Sequence, residues 1–193
     1  RIANSSSTVY NNLVHGGTNA TVYGVQCVMS SPKIINNSIN GGHGTVSSGA
    51  IVAESDAFYV TKSIIKNNIL FSTSVGSLKF GYYEYSVNST PLEFMNNNIF
   101  DCPSALYRDK DDNVEIKTIS AVQADLVAEG KSASGNISID PSMQNVSTGD
   151  WHLSTETPIS VYAGGLDMSS MFSVDMDMNS RTVPWSIGAY EKD

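Results

Sequence analysis

Short apolar runs broken by asparagine recur along the first half of the chain. "VYNNLV" (Val9–Val14), "IINNSI" (Ile34–Ile39), "IIKNNI" (Ile64–Ile69) and "FMNNNI" (Phe94–Ile99) each put apolar residues at their second and sixth positions. The fourth position is asparagine in all four: Asn12, Asn37, Asn67 and Asn97. The second residues, Tyr10, Ile35, Ile65 and Met95, follow one another at intervals of 25, 30 and 30 residues. A weaker phrase lies between them, "YGVQCVM" at Tyr23–Met29, "GAIVAES" at Gly49–Ser55 and "GYYEYSV" at Gly81–Val87. Runs this short, bounded by Gly, Ser, Asn and Pro, predict strands.

Repeats of 20–50 residues mark solenoids, propellers or arrays. These units hold no helix-period segment, which excludes the helical repeats, and they are too short for the four strands of a propeller blade. The pattern therefore predicts an all-β fold, a parallel β-helix (β-solenoid), with equivalent strands stacked about 4.8 Å apart. In such a stack Asn12, Asn37, Asn67 and Asn97 form one structural ladder, each amide donating to the next carbonyl at a sharp corner. The phrases "KIINNSINGG", "SIIKNNILFS" and "EFMNNNIFD" resemble the repeats of right-handed parallel β-helix proteins of the pectate-lyase-like superfamily, over Thr8 to about Arg108. The resemblance implies the right-handed sense of the coil.

From about Lys110 the repeat stops. "KDDN" (Lys110–Asn113) reads as a charged turn. In "TISAVQADLVAEG" (Thr118–Gly130), Ile119, Val122 and Leu126 at 3–4 spacing, with Gly130 behind them, predict a short amphipathic helix that covers the side or end of the solenoid. The segments "GNISIDPSMQNVSTGDWHLSTETPISVYAGG" (Gly135–Gly165) and "DMDMNSRTVPWSIGAYE" (Asp175–Glu191) resemble the C-terminal region of bacterial surface β-helix proteins called choice-of-anchor Q proteins. Met178 stands where that pattern has glycine, and Ser186 where it has aspartate. Residues 1–109 thus read as coils of a partial solenoid, and 110–193 as the last coils and a C-terminal cap of the same domain. In that cap Arg181 is expected to pair with Asp175, Asp177 or Glu191, and "RTVPWSIGAYE" to lie along the last coil. Ile2–Val14 reads as mid-solenoid, so further coils, another domain or a partner chain are expected before Arg1.

Composition narrows the function. Charged residues are only 16% of the chain against about 25% in an average globular domain, and the net charge is −8. That balance excludes nucleic acid as a partner, since binding it takes clustered Lys and Arg. No segment reaches the ~20 apolar residues of a transmembrane helix. Cys27 and Cys102 fall at different phases of the repeat, which predicts two buried free thiols. A polar, Ser/Thr/Asn-rich β protein of this kind is expected to be secreted or at the cell surface.

The resemblance to polysaccharide lyases implies a calcium-binding acidic cluster with a basic residue that abstracts a proton; hydrolases of similar fold use neighbouring aspartates. The best candidates here are Lys66, Glu93, Asp101 and Arg108, and they share no phase of the repeat. "DMDMN" offers Asp175, Asp177 and Asn179 at alternate positions, as a calcium loop opens, but without the glycine and glutamate that complete an EF-hand. A turn held by aspartate-to-backbone bonds is the reading preferred over calcium, so no cofactor is assigned. His15 and His43 follow matching strand phrases and are expected together on a turn face; Trp151, Trp185 and Tyr82, Tyr83 and Tyr85 are either core or sugar-stacking rings. The sequence points to a non-catalytic structural, adhesive or carbohydrate-binding domain of an exported bacterial protein, with polysaccharide as the candidate partner. A polysaccharide lyase or glycoside hydrolase acting in a groove along the coils is the alternative.

Overall fold

A computed structural model of the protein describes residues 1–76 and 78–192. Three strands per coil build a parallel β-solenoid of about four turns. After a short β1 (Ile2–Ala3), the first coil runs through β2 (Thr8–Tyr10), β3 (Leu13–His15) and β4 (Thr18–Val28). The second is β5 (Lys33–Ile35), β6 (Ser38–Asn40) and β7 (His43–Glu54), and the third is β8 (Ile64–Lys66), β9 (Ile69–Phe71) and β10 (Leu78–Glu84). The fourth is β11 (Glu93–Met95), β12 (Asn98–Ile99) and β13 (Ala105–Asp109). β14 (Val114–Ile116) folds back antiparallel on β13, and β15 (Ser132–Ser134) adds a fifth strand beside β11. Side chains alternate in and out along each strand. The inward set, Ile34, Ile65 and Phe94 on one wall and Ile39, Leu70 and Ile99 on the next, stacks with Tyr82 and Tyr107 into the main core.

The corner between the first two strands of each coil fixes the register. Val9 pairs with Ile34, Ile34 with Ile65, and Ile65 with Phe94. The true ladder is therefore Asn12, Asn37, Asn68, Asn97 and Asn136: Asn12 donates Nδ2–H to Asn37 Oδ1 (3.0 Å), Asn37 to Asn68 (3.1 Å), Asn68 to Asn97 (3.0 Å) and Asn97 to Asn136 (3.0 Å). Each rung's backbone N–H donates to the same oxygen. Asn67 is not a rung. It belongs to the neighbouring column, Asn11, Asn36, Asn67, Asn96 and Gly135, whose φ angles of 54°, 52°, 55°, 52° and 66° place every member in the left-handed region. Asn and Gly are the residues that take that conformation at least cost. Two duties expected of one asparagine are thus divided between neighbours, one turning the chain and the next carrying the ladder, although Asn67 also donates to Asn36 Oδ1 at 3.1 Å.

Helix α1 (Ile119–Ala128) starts at Thr118, whose hydroxyl accepts the Ala121 N–H, and gives way to left-handed Gly130. Val122 and Leu126 are fully buried in the main core. The helix closes the solenoid end, because Gln123 Oε1 accepts the Asn136 N–H at 3.0 Å, the bond a sixth rung would make.

The C-terminal part does not lie on the last coil. A hairpin of β16 (Met143–Asn145) and β17 (Asp150–Leu153) and the single-turn helix α2 (Ile159–Tyr162) pack over the outside of the β3–β6–β9–β12 sheet. From Gly164 a strap then runs down the flank toward the first coil, and the left-handed asparagines hold it. Asn96 donates to Gly164 O, Asn67 to Leu166 O, Asn36 to Ser186 O and Gly188 O, and Asn11 to Val174 O. The strap straddles the corner, with Phe172 and Trp185 against Ile35 on one side and Ile187, Ala189 and Tyr190 against Ile69 and Phe71 on the other. Gly188, at φ 100°, passes so close that a Cβ there would lie 2.7 Å from Ile69 Cδ1. Met178 takes a left-handed φ of 70°, a conformation that glycine adopts at less cost.

Candidate functional site

A groove of about 740 Å³ opens where the β16–β17 hairpin leans on the outer face of the first coils. Two glycine pairs next to its lining residues set the spacing of the coils. Gly16 packs so tightly on the coil above that a Cβ would fall 2.3 Å from Gly41 O, and Gly17 and Gly42 turn the chain at φ 77° and 88°. This close stacking brings His15, at the end of β3, beside His43, at the start of β7, with ring centroids 5.7 Å apart. Trp151 of β17 forms the facing wall, 6.4 Å from the His15 ring and edge-on to Phe71 at 5.1 Å. Leu13 and Val146 add apolar surface, while Asn40, Thr73, Ser147 and Thr148 add polar groups.

The polar groups are oriented by their neighbours. His15 Nδ1 accepts the Gly17 N–H at 2.9 Å, leaving Nε2 as the proton-bearing nitrogen of the neutral ring. Burial, and then the nearby His43, hold the His15 imidazole below its ordinary value, so it is uncharged near neutrality. Asn40 accepts the N–H of Gly42 (2.9 Å) and of Thr73 (3.1 Å) and donates to Thr73 Oγ1 (3.0 Å), which locks its amide. The groove thus presents two exposed imidazoles, hydroxyls and a fixed carboxamide, with the largely buried Trp151 backing them. No carboxylate is among its described lining residues. Acid–base cleavage of a glycosidic bond uses a pair of carboxyl groups.

Of the four catalytic candidates from the sequence, only Lys66 and Glu93 meet each other; Asp101 and Arg108 are paired elsewhere. Lys66 meets Glu93 at 2.6 Å outside the β8–β11 wall, Asp101 meets Lys79 at 3.4 Å past β12, and Arg108 meets Glu115 at 2.6 Å across the β13–β14 hairpin. The Asp175–Asn179 segment is a turn. Asp175 Oδ1 accepts the N–H groups of Asp177 (2.9 Å) and Asn179 (2.8 Å), and Oδ2 accepts that of Glu191 (2.9 Å). Asp177 bonds His152 Nε2 at 2.7 Å, while Asp150 bonds Nδ1 of the same ring at 2.6 Å. Of the three partners expected for Arg181, the structure selects Glu191, at 3.0 Å. The buried guanidinium also donates to Asn11 Oδ1 and to the carbonyls of Gly188 and Ala189. Tyr82 is core, stacked on Tyr107 at 5.2 Å, whereas Tyr83 and Tyr85 face out beside Tyr23 and Arg108 in a smaller depression of about 460 Å³. Trp185 packs beneath the strap, and both cysteines are buried and free, with burial pushing Cys27 up to about 12.

The groove was only partly readable in the sequence. The glycines after His15 and the matching phase of His43 signalled their meeting, but nothing local connects either histidine to Trp151, more than a hundred residues later in the chain. Comparison with family models, curated proteins and solved structures finds no match.

Proposed function

We propose that the protein is a non-catalytic, carbohydrate-binding β-helix domain of an exported or cell-surface bacterial protein, and that polysaccharide binds in the groove between His15, His43 and Trp151. The observation that carries the reading is the lining: two exposed imidazole rings with fixed hydrogen-bonding groups and, among the described lining residues, no carboxylate pair. Ligand sites are mostly apolar clefts with a few convergent polar groups, and 740 Å³ lies within the usual range of about 300–1,000 Å³. Ring faces such as those of the exposed His15 and His43 suit the apolar face of a pyranose, while imidazole N–H and hydroxyl groups suit its rim. The resemblance of the repeats to the pectate-lyase-like superfamily, and of Asn136–Glu191 to choice-of-anchor Q proteins, supports an exported setting.

A glycan-array screen with product analysis tests the proposal. Binding without turnover is expected, and His43→Ala, a change at an exposed side chain, is expected to weaken it by roughly 1 kcal/mol. Release of oligosaccharide products from any polysaccharide would overturn the non-catalytic reading. Binding untouched by His43→Ala and by Thr73→Ala would remove it from this groove.

A further inference from the structure

At the far end of the solenoid from the strap's end, three carboxylates converge where strand, turn and helix meet. β13 ends at Asp109, the following turn carries Asp112, and α1 brings Asp125 up against both. One oxygen from each lies within 4.8 Å of the others. Asp109 is fully buried. Its Oδ1 accepts the N–H groups of Asp111 (2.7 Å) and Asp112 (3.3 Å), but its Oδ2 is enclosed and has no hydrogen-bond partner. Asp125 Oδ2 is enclosed and partnerless as well. Among the described residues, no lysine or arginine forms an ion pair with any of the three; Arg108 turns instead to Glu115 and Asn113.

An enclosed carboxylate oxygen without a partner costs several kcal/mol unless a cation or proton meets it. We propose that Asp109, Asp112 and Asp125 bind a calcium ion that clamps α1 to the last full coil. The donors are all hard oxygens. Calcium holds such ligands at about 2.3–2.6 Å, so opposite members of its shell stand about 4.6–5.2 Å apart, whereas magnesium's shorter bonds bring them to about 4.2 Å. Three oxygens within 4.8 Å of one another fit inside the calcium shell. The neighbourhood also carries excess negative charge, since Asp111 and Glu129 lie close to the three carboxylates. A bound cation relieves that repulsion and joins the β13–β14 turn to the helix. This site is independent of the groove and of the function assigned to it.

Titration calorimetry of the calcium-stripped protein with CaCl2 tests the assignment, together with thermal unfolding in EDTA and in calcium. One calcium per chain and a raised melting temperature are expected. Asp112→Asn, at an exposed position that does not support the core, is expected to lower calcium affinity at least about tenfold. Asp125→Asn is expected to melt higher than the parent in EDTA, because like charge is removed, and lower than the parent in calcium; a purely structural aspartate would not invert this order. Asp177→Asn, in the strap, is expected to keep the full calcium response. A parent protein whose heat and melting ignore millimolar calcium would overturn the proposal, as would a response that survives both Asp112→Asn and Asp125→Asn, or tighter binding of MgCl2 than of CaCl2.

Discussion

Two adjacent asparagines per coil do different work, and substitution separates them. Asn68 is fully buried, donates to Ile34 O, Lys66 O and Asn97 Oδ1, and accepts from Asn37. Asn68→Ala would strand several of these groups without water, at about 1–3 kcal/mol each, so a loss of about 3–5 kcal/mol is expected in urea unfolding. Asn67→Gly keeps the left-handed turn and gives up two bonds to Leu166 and one to Asn36 Oδ1, for a loss of about 2–3 kcal/mol. Equal losses at the two positions would refute the division. The sequence showed the ladder but misplaced its third rung. Both Ile64 and Ile65 are apolar, although only Ile65 is fully buried, so hydrophobicity alone could not fix the phase, and Lys66 occupies the place that Ile35 and Met95 hold in other coils. The rungs stand 25, 31, 29 and 39 residues apart, and loops absorb the difference without disturbing the stack. The fifth rung, Asn136, escaped the repeat because its corner partner is Gly135 rather than asparagine.

At the scale of elements, α1 ends the stack by imitation. Gln123 supplies the acceptor that the next asparagine would have given, and Val122 and Leu126 cover the exposed cross-section. Such covering protects strand edges that would otherwise pair with other chains. Gln123→Ala leaves the Asn136 N–H without its acceptor and is expected to cost about 1–2 kcal/mol. Hydrogen exchange should show faster opening at Asn136 and Ile137, with the Asn37 amide unchanged; uniform acceleration along the ladder would contradict a local end-cap. The helix was legible because its 3–4 apolar spacing and its terminal Gly130 are local signals. The strap was not. Its residues show no periodicity, and its partners are backbone atoms and the left-handed asparagines of distant coils, so the motif was visible while the surface it meets was hidden.

For the molecule as a whole, His152 joins hairpin to strap. Its ring sits between Asp150 and Asp177 and stacks on Tyr190 at 3.9 Å. The bond to Asp177 is the main cause that raises its imidazole above the ordinary 6.5; burial opposes, and Asp150 adds to the rise. The folded state therefore holds this proton more tightly than the unfolded chain. The resulting stability is complete below pH 6.5 and fades as pH rises through the folded value. Unfolding midpoints should decline from pH 6 to 8 in the parent, and less steeply in His152→Gln; parallel profiles would rule out this latch. Because Trp151 precedes His152 on β17, loosening the latch also loosens one wall of the groove. The strap carries a further consequence for synthesis. Coils can assemble one upon another as the chain leaves the ribosome, yet the Arg181–Asn11 bond joins partners 170 positions apart. The coil that carries Asn11 is thus fastened only after Arg181 has emerged, and a nascent chain stalled short of Arg181 holds that coil unsecured on one side.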